Sequence, residues 1–441
     1  MAAVVTNRPP LRVAVLGAGT VGSDVLRLIQ RNGEDLAHRI GARLEVTGIA
    51  VHDVEKERAS HVDRSLLTDD PEKLVSEADI VLELMGGIEP ARSLLLTAIS
   101  HGASVVTANK ALLAQDGPSL YEAADAAGVD LHFEAAVAGA IPLVRPIRES
   151  LAGDRISKVL GIVNGTTNYI LDAMARTGAT FDDALARAQE LGFAEADPTA
   201  DVEGHDAAAK ASILASLAFH SRVSLADVYC EGITTVTDSD IAAAARLGRT
   251  IKLLSIVERV EDELGERISA RVYPAMVPES HPLASVSEAY NAVFVEAEAA
   301  GSLMFYGQGA GGSPTASAVL GDLVSVARQR VLGGVGPRES SYAELRIVPI
   351  EELRSAFYVS LTVEDRPGVL AEVAGTLSSH GISISTIHQE PLPAVEGEPA
   401  RAHIGIATYK AIESSMEGAL DTLDISTAVA SIDSVLRIEG E

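Results

Sequence analysis

The segment "LRVAVLGAGTVGSDVL" at 11–26 constrains this chain more than any other. Residues 11–17 are apolar apart from Arg12 and stop on a glycine. A strand of that kind is buried on both faces, and strands buried on both faces belong to parallel sheets covered by helices. Gly17, Gly19 and Gly22 form GxGxxG at the strand-to-helix junction. Glycine lets the turn be tight and the backbone approach a ligand, and the helix N-terminus offers N–H groups and a positive dipole to a pyrophosphate. Gly17, Ala18, Gly19, Thr20, Val21 and Gly22 are therefore read as a dinucleotide-binding turn. A plain packing turn uses the same glycines, so the surroundings have to decide.

They do so by alternation. A helix runs from Thr20 to about Gln30, and strands follow in "LEVTGIAV" (44–51), "ADIVLELMGG" (78–87), "ASVVTANK" (103–110) and "VDLHFEAAV" (129–137). Helices fall between them at 90–102 and 119–128. Strands alternating with helices at this spacing make a doubly wound parallel sheet. Asp53 follows the second strand, where an acid meets a ribose, and Lys56 and Arg58 just beyond it suit a 2′-phosphate. Both nicotinamide cofactors fit, NADP ahead of NAD.

Past residue 150 the texture is α+β. "ISKVLGIVNGTTNYIL" (156–171) reads as strand, polar turn and helix, 180–192 as a helix with an acidic first turn, and 267–274 and 291–298 as strands. Residues 332–350 are rich in Gly, Pro, Ser and charge and read as a boundary that few contacts cross. Truncation after about residue 350 would then leave the preceding domains whole. Strands at 355–363, 382–390 and 400–409 and a helix near 367–379 form a last small module.

With 441 residues and 47% hydrophobic content, two or three domains can each build a core. Lys and Arg total 35 against 62 acids, a net charge of −27. Such a surface repels phosphodiester backbones and anionic membranes, which speaks against both as partners but not against one small anion in a local pocket. Cys230 is the only cysteine, so neither a disulfide framework nor a cysteine-rich zinc site can be built. The start, "MAAVVTNRPP", lacks the basic and apolar regions of a signal peptide, and no run of about 18 apolar residues spans a bilayer. A cytoplasmic protein is the expectation.

Several side chains carry chemistry, each with a plain alternative. Lys110 stands past a strand end, where ligands bind open α/β sheets, or it simply opens a helix in solvent. Glu134 in "FEAAVAGAIP" could bind a hard cation with nearby carbonyls, or cap a turn. Glu195, Asp197, Asp201, Glu203 and Asp206 suit an ammonium group or form a solvated loop. Asp206 and Lys210 sit one turn apart on a helix of Ala, Ser, Ile and Leu. A surface ion pair is the common reading of that spacing, but a lysine on a helix buried all round is costly unless it is paired or lines a cavity. "YGQGAGGSPTASAVLGD" (306–322) is a glycine-rich loop before a helix, able to close over a cofactor or only to connect.

Together "GAGTVG", "VVTANKALLA", "FEAAVAGAIP", "GIVNGTTNYIL", "GFAEADPTADVEGHDAAAK" and "YGQGAGGSPTA" resemble the homoserine dehydrogenases, in order and through nearly the whole chain. The tail from "YVSLTVEDRPGVLAEVAGTL" resembles an ACT domain, a βαββαβ module that often senses amino acids. The resemblance implies a flexible tail (1–10), a Rossmann-like doubly wound nucleotide-binding domain (11–145), and an α+β catalytic and dimerisation domain (146–331). About 307–330 of the latter packs back on the first domain. A linker (332–354) and an ACT regulatory domain (355–441) follow.

The implied activity is reversible, NAD(P)-dependent interconversion of L-aspartate 4-semialdehyde and L-homoserine, on the route to threonine, methionine and isoleucine. By the same resemblance Lys210 is the proton donor, with Asp206 beside it orienting substrate, both facing a substrate cleft between two domains. Glu195 holds the amino group, and Lys110 reaches cofactor and substrate. Gly192 and Gly307 touch the cofactor through backbone atoms. Glu134 with the carbonyls of Val137, Gly139 and Ile141 binds a sodium-like cation. Asp365 and Gly368 mark the turn for an amino-acid effector, threonine first, and a homodimer or homotetramer is the implied assembly. The rivals are a non-catalytic sensor of nucleotide and amino acid, and a dehydrogenase of another small amino acid. The set Lys110, Glu195, Asp206 and Lys210 argues against the sensor, which needs no proton donor.

Overall fold

Strand β1 (Leu11–Leu16) lies at the centre of a six-stranded parallel sheet, with Val13, Ala14, Val15 and Leu16 fully buried. The computed structural model describes residues 8–263, 265–393 and 399–440, so residues 1–7 of the expected tail lie outside the described residues. The chain divides into two units, the first holding the residues up to Gly165, Ala209–Asp227 and Tyr290–Leu345.

In the first unit, α1 (Thr20–Arg31), α2 (Gly33–Ile40), α3 (Pro71–Ser76), α4 (Ala91–Ser100) and α5 (Lys110–Ala127) alternate with β2 (Leu44–Ala50), β3 (Leu67–Thr68), β4 (Ile80–Glu83), β5 (Ser104–Thr107) and β6 (Leu131–His132). The order β3-β2-β1-β4-β5-β6 reverses between β1 and β4, and ligands of such sheets bind outside the strand ends at that reversal. Helix α11 (Gly312–Leu332) returns to this layer: Val319, Leu323 and Val326 share one core with Val13, Val15, Val25 and Leu82. Each such side chain contributes about 1.5–3 kcal/mol by leaving water. The unit also holds β7 (Ile156–Ile162), β11 (Tyr290–Ala297) and β12 (Gly301–Gln308), with β11 antiparallel to both neighbours.

Two expectations change here. The helix placed at 119–128 begins at Lys110, because the Asn109 side chain accepts from Leu112 N at 3.1 Å and caps it; a kink at Asp116 precedes Pro118. The strand placed at 129–137 has only two residues, since Glu134–Ala136 turns as a 3₁₀ segment.

The second unit holds Thr166–Ala208, Val228–Ala289 and the chain from Arg346. Its helices are α6 (Gly165–Thr177, from its second residue), α7 (Phe181–Glu190), α8 (Thr199–Val202), the start of α9 (His205–Phe219) and α10 (Asp238–Arg246). Strand β8 (Tyr229–Cys230) lies parallel to β10 (Gly265–Pro278), which pairs antiparallel with β9 (Arg249–Asp262), each strand 14 residues long. The sequence reading finds part of β10 and misses β9, whose Lys252 interrupts an apolar run although it is buried.

The last module is βαββαβ: β14 (Arg354–Glu364), α12 (Val369–Ser379), β15 (Ile384–Pro391), β16 (Arg401–Thr408), α13 (Glu413–Asp424) and β18 (Val429–Ile438), in the order β18-β14-β16-β15. Val359, Leu361, Val373, Leu377, Ile404, Ile406 and Met416 form its core. Short β13 (Arg346–Ile347) and β17 (Ala411–Ile412) flank it. The expectation that few contacts cross the 332–350 segment is corrected: β13 pairs with β10 through Arg267 and Ile268, and β18 pairs with β10 through Ala275 and Met276. The module continues the hairpin's sheet because β10 leaves that edge open to it.

Candidate active site

Where β1 ends, Gly17 takes φ +101°, a left-handed conformation that glycine alone adopts without strain. A Cβ on Gly22 would lie 2.1 Å from the Gly17 carbonyl oxygen, so the helix and turn pack at glycine distance. Gly19 differs: a Cβ there meets no protein atom within 4 Å and would stand in open space. That space is a groove of about 700 Å³ lined by Gly17, Ala18, Gly19, Thr20, His52, Lys56, Arg58 and Met85. No side chain caps α1 and no acid lies in its first turn, so its first N–H groups and dipole are left for an anion. The cradle fits a dinucleotide pyrophosphate. Asp53 is spent on its own loop, accepting from the N–H groups of Glu55 and Lys56, which sets Lys56 and Arg58 at the groove. Gly19→Val is expected to keep the wild-type melting temperature and to weaken reduced-nicotinamide binding about tenfold or more, since overfilling a close contact costs about 1–3 kcal/mol. Wild-type affinity in a fluorescence titration would remove the cofactor from this turn.

At the ends of β4 and β5 a buried carboxylate does work that sequence reasoning misses. Glu83 accepts from Met85 N and Gly86 N, both at 3.0 Å, and from the Thr107 hydroxyl at 2.5 Å. Asn109 Nδ2 donates to the Gly87 carbonyl at 2.6 Å. These bonds tie the two strand ends together and deliver the exposed Lys110 as the first residue of α5.

Helix α9 carries Asp206 and Lys210, each only 8% exposed, so the surface ion pair is set aside. Lys210 Nζ donates to the Val163 carbonyl at 2.6 Å, which fixes its direction from the strand entering "NGTTN". In the second unit, α6 grips the loop after α7: Thr166 Oγ1 donates to the Phe193 carbonyl at 2.6 Å, and the Tyr169 and Phe193 rings lie 5.1 Å apart. Glu195, two residues on, is exposed. Behind α6, buried Lys252 donates to Asn168 Oδ1 at 3.1 Å and to the Val286 carbonyl at 2.6 Å. Burial pushes its ammonium down to about 8, against the pull of Asp172. The unfolded chain then holds more protons between about pH 8 and 10.5, so stability rises with pH through that window. The rise is about 3 kcal/mol by the linkage relation. Urea unfolding of Lys252→Met should lack this rise, and an equal slope in both proteins would contradict the burial.

A family model described as "Homoserine dehydrogenase, NAD binding domain" matches residues 17–134, "Homoserine dehydrogenase" matches 142–324, and "ACT domain" matches 357–423. The chain is 56% identical over 437 residues to the homoserine dehydrogenase of Mycobacterium tuberculosis, covering 98% of this chain and 99% of that one. The chain belongs to the homoserine dehydrogenase family. Against the Corynebacterium glutamicum homoserine dehydrogenase it is 55% identical over 432 residues, 97% of this chain and 96% of the other. The crystal structure of a homoserine dehydrogenase from Thiobacillus denitrificans superposes with a TM-score of 0.91 at 41% identity, covering 98% of both chains.

Within this homoserine dehydrogenase the first unit carries Gly17 to Gly22, Lys110, Glu134, Lys210 and Gly307, and the second carries Gly192, Glu195, Asp206, Asp365 and Gly368. Gly307 lies in β12 against the Ile141 side chain, and Gly192 follows α7. Asp365 and Gly368 are exposed at the turn into α12, with Asp365 N bonded to the Ala400 carbonyl. Glu134 is buried and saturated: its carboxylate accepts from the N–H groups of Leu143, Val144 and Arg145 and from Arg145 Nε at 3.2 Å. Those donors fit a clamp on residues 134–145 better than a ligand set.

Proposed function

We propose that this homoserine dehydrogenase uses Lys210 and Asp206 for proton transfer and orientation, Glu195 for the substrate ammonium, and NADP ahead of NAD. The observation that carries the reading is the burial of an acid and a lysine one turn apart on α9, with Lys210 held by Val163. The bound nicotinamide supplies hydride to the aldehyde carbon, or takes it from the alcohol carbon. Lys210 gives a proton to the carbonyl oxygen as negative charge develops there, and takes it back from the hydroxyl in the reverse direction. Asp206 orients the group that receives it. Lys110, delivered by the Asn109 cap, reaches cofactor and substrate, and Gly192 and Gly307 present backbone to the cofactor. Lys56 and Arg58 in the groove support a 2′-phosphate.

The finer parts of the reading are a sodium-like cation at the 137–141 carbonyls, a threonine effector at Asp365 and Gly368, a homodimer or homotetramer, and a cytoplasmic site of action. Among the described residues no helix is long and apolar enough to cross a membrane. The test of the substrate assignment is Glu195→Gln. It should raise KM for homoserine more than it lowers kcat, because an ammonium contact acts on binding. An unchanged KM with saturable kinetics would move the amino group elsewhere.

A further inference from the structure

The ACT module ends in a partly buried guanidinium. Arg437, on β18 beside Ala275 of β10, makes a two-pronged pair with Glu413, both contacts 2.9 Å. Its third nitrogen reaches out of the module to Glu231, also at 2.9 Å. The group lies 4.6 Å from the centre of the Tyr273 ring and 5.3 Å from that of Tyr229, whose hydroxyl donates to the same Glu231 oxygen. A planar fork between aromatic faces holds geometry as well as charge, which a lysine does not reproduce.

Glu231 follows β8, and its N–H bonds the Val272 carbonyl of β10 at 2.8 Å. The residues on either side of Glu231 press on the turn that opens α9. Ile233 N donates to the Val202 carbonyl at 2.7 Å, and Cys230 Sγ donates to the Glu203 carbonyl at 3.4 Å. A Cβ on Gly232 would come within 2.3 Å of the Val202 carbonyl oxygen, and one on Gly204 would lie 3.0 Å from Cys230 Sγ. The Gly204 carbonyl in turn accepts the Ala208 N–H, the first turn of α9 around Asp206. There is no slack in this series, and close-packed contacts transmit displacement.

We propose that Arg437 is a positioning residue for catalysis: through Glu231 and the 230–233 segment it sets the 202–204 turn and so the placement of Asp206. This rests on the assignment of Asp206 to the substrate. The ACT domain is then part of the scaffold of the substrate site.

Four full-length variants test it, each assayed for both substrates. Arg437→Met and Glu231→Gln should raise KM for homoserine roughly tenfold and leave KM for the nicotinamide within about twofold. Gly232→Ala, which pushes the turn directly, should do the same with the Arg437 pairs intact. A merely structural role for Arg437 would lower Vmax through the folded fraction and leave both KM values alone, and that result overturns the proposal. If Arg437→Met does not fold, Glu231→Gln decides, since it keeps the Glu413 pair. Asp206→Asn separates the two failures. Normal kinetics there would remove Asp206 from the substrate. A strong effect there, with Glu231→Gln at wild-type KM, would remove only the link to Arg437.

Discussion

Lys210→Ala is expected to lose about 10²–10⁴ of kcat while the nicotinamide still binds, the range that a positioned proton donor supplies. The groove is lined by the β1–α1 turn and by residues 50–52, 56–59 and 84–85, and Lys210 is not part of that lining, so removing the ammonium leaves the cradle intact. The change also takes a donor from the Val163 carbonyl, at a cost of about 1–3 kcal/mol in stability. Turnover should therefore be normalised to the folded fraction, with cofactor affinity titrated on the same sample. Near-normal kcat in that sample would mean the proton comes from another group.

A chain ended after residue 350 is expected to be damaged, contrary to what its linker composition suggests. The cut removes β14 to β18 and with them the acceptor of the Tyr273 hydroxyl, Glu439 at 2.7 Å, and the strand paired with Ala275 and Met276. Arg271 and Tyr273, now fully buried or nearly so, would face water on β10, with Arg271 keeping Glu258 at 2.7 Å. Breaking a buried charged network costs about 3–5 kcal/mol, which in a unit of this size lowers the melting temperature by roughly 10 °C. Thermal unfolding of full-length and shortened protein makes the comparison. Equal melting temperatures would show that β18 adds nothing to the hairpin.

What the sequence discloses follows from how local each signal is. The strand ending at Gly17, the GxGxxG turn and the alternation after it are set by neighbours within a few residues, and they lie where the pattern puts them. The helix with Asp206 and Lys210 is legible in its Ala, Ser, Ile and Leu content, which points to burial although the spacing of the two charges suits a surface pair as well. The Glu134 turn is not, because its carboxylate is satisfied by N–H groups nine to eleven residues later. The start of α5 hides behind an asparagine cap within what reads as a strand end. Lys252 breaks the apolar pattern of β9 yet is buried against a helix 84 residues earlier, a distance no periodicity reports. The Arg437 to Glu231 pair spans 206 residues and has no motif. A composition rich in Gly, Pro and Ser at 332–350 marks a change of element but says nothing of the strand that returns to β10 near the chain's end.

The most direct test of the account is the homoserine-dependent reduction of NADP and of NAD by the purified full-length chain, with Asp206→Asn and Lys210→Ala beside it. The account predicts saturable reduction that needs homoserine, with NADP ahead of NAD, and kcat down by about 10²–10⁴ in the lysine variant at unchanged nicotinamide affinity. Wild-type turnover in both variants would contradict it, because the buried pair on α9 would then have no part in the chemistry.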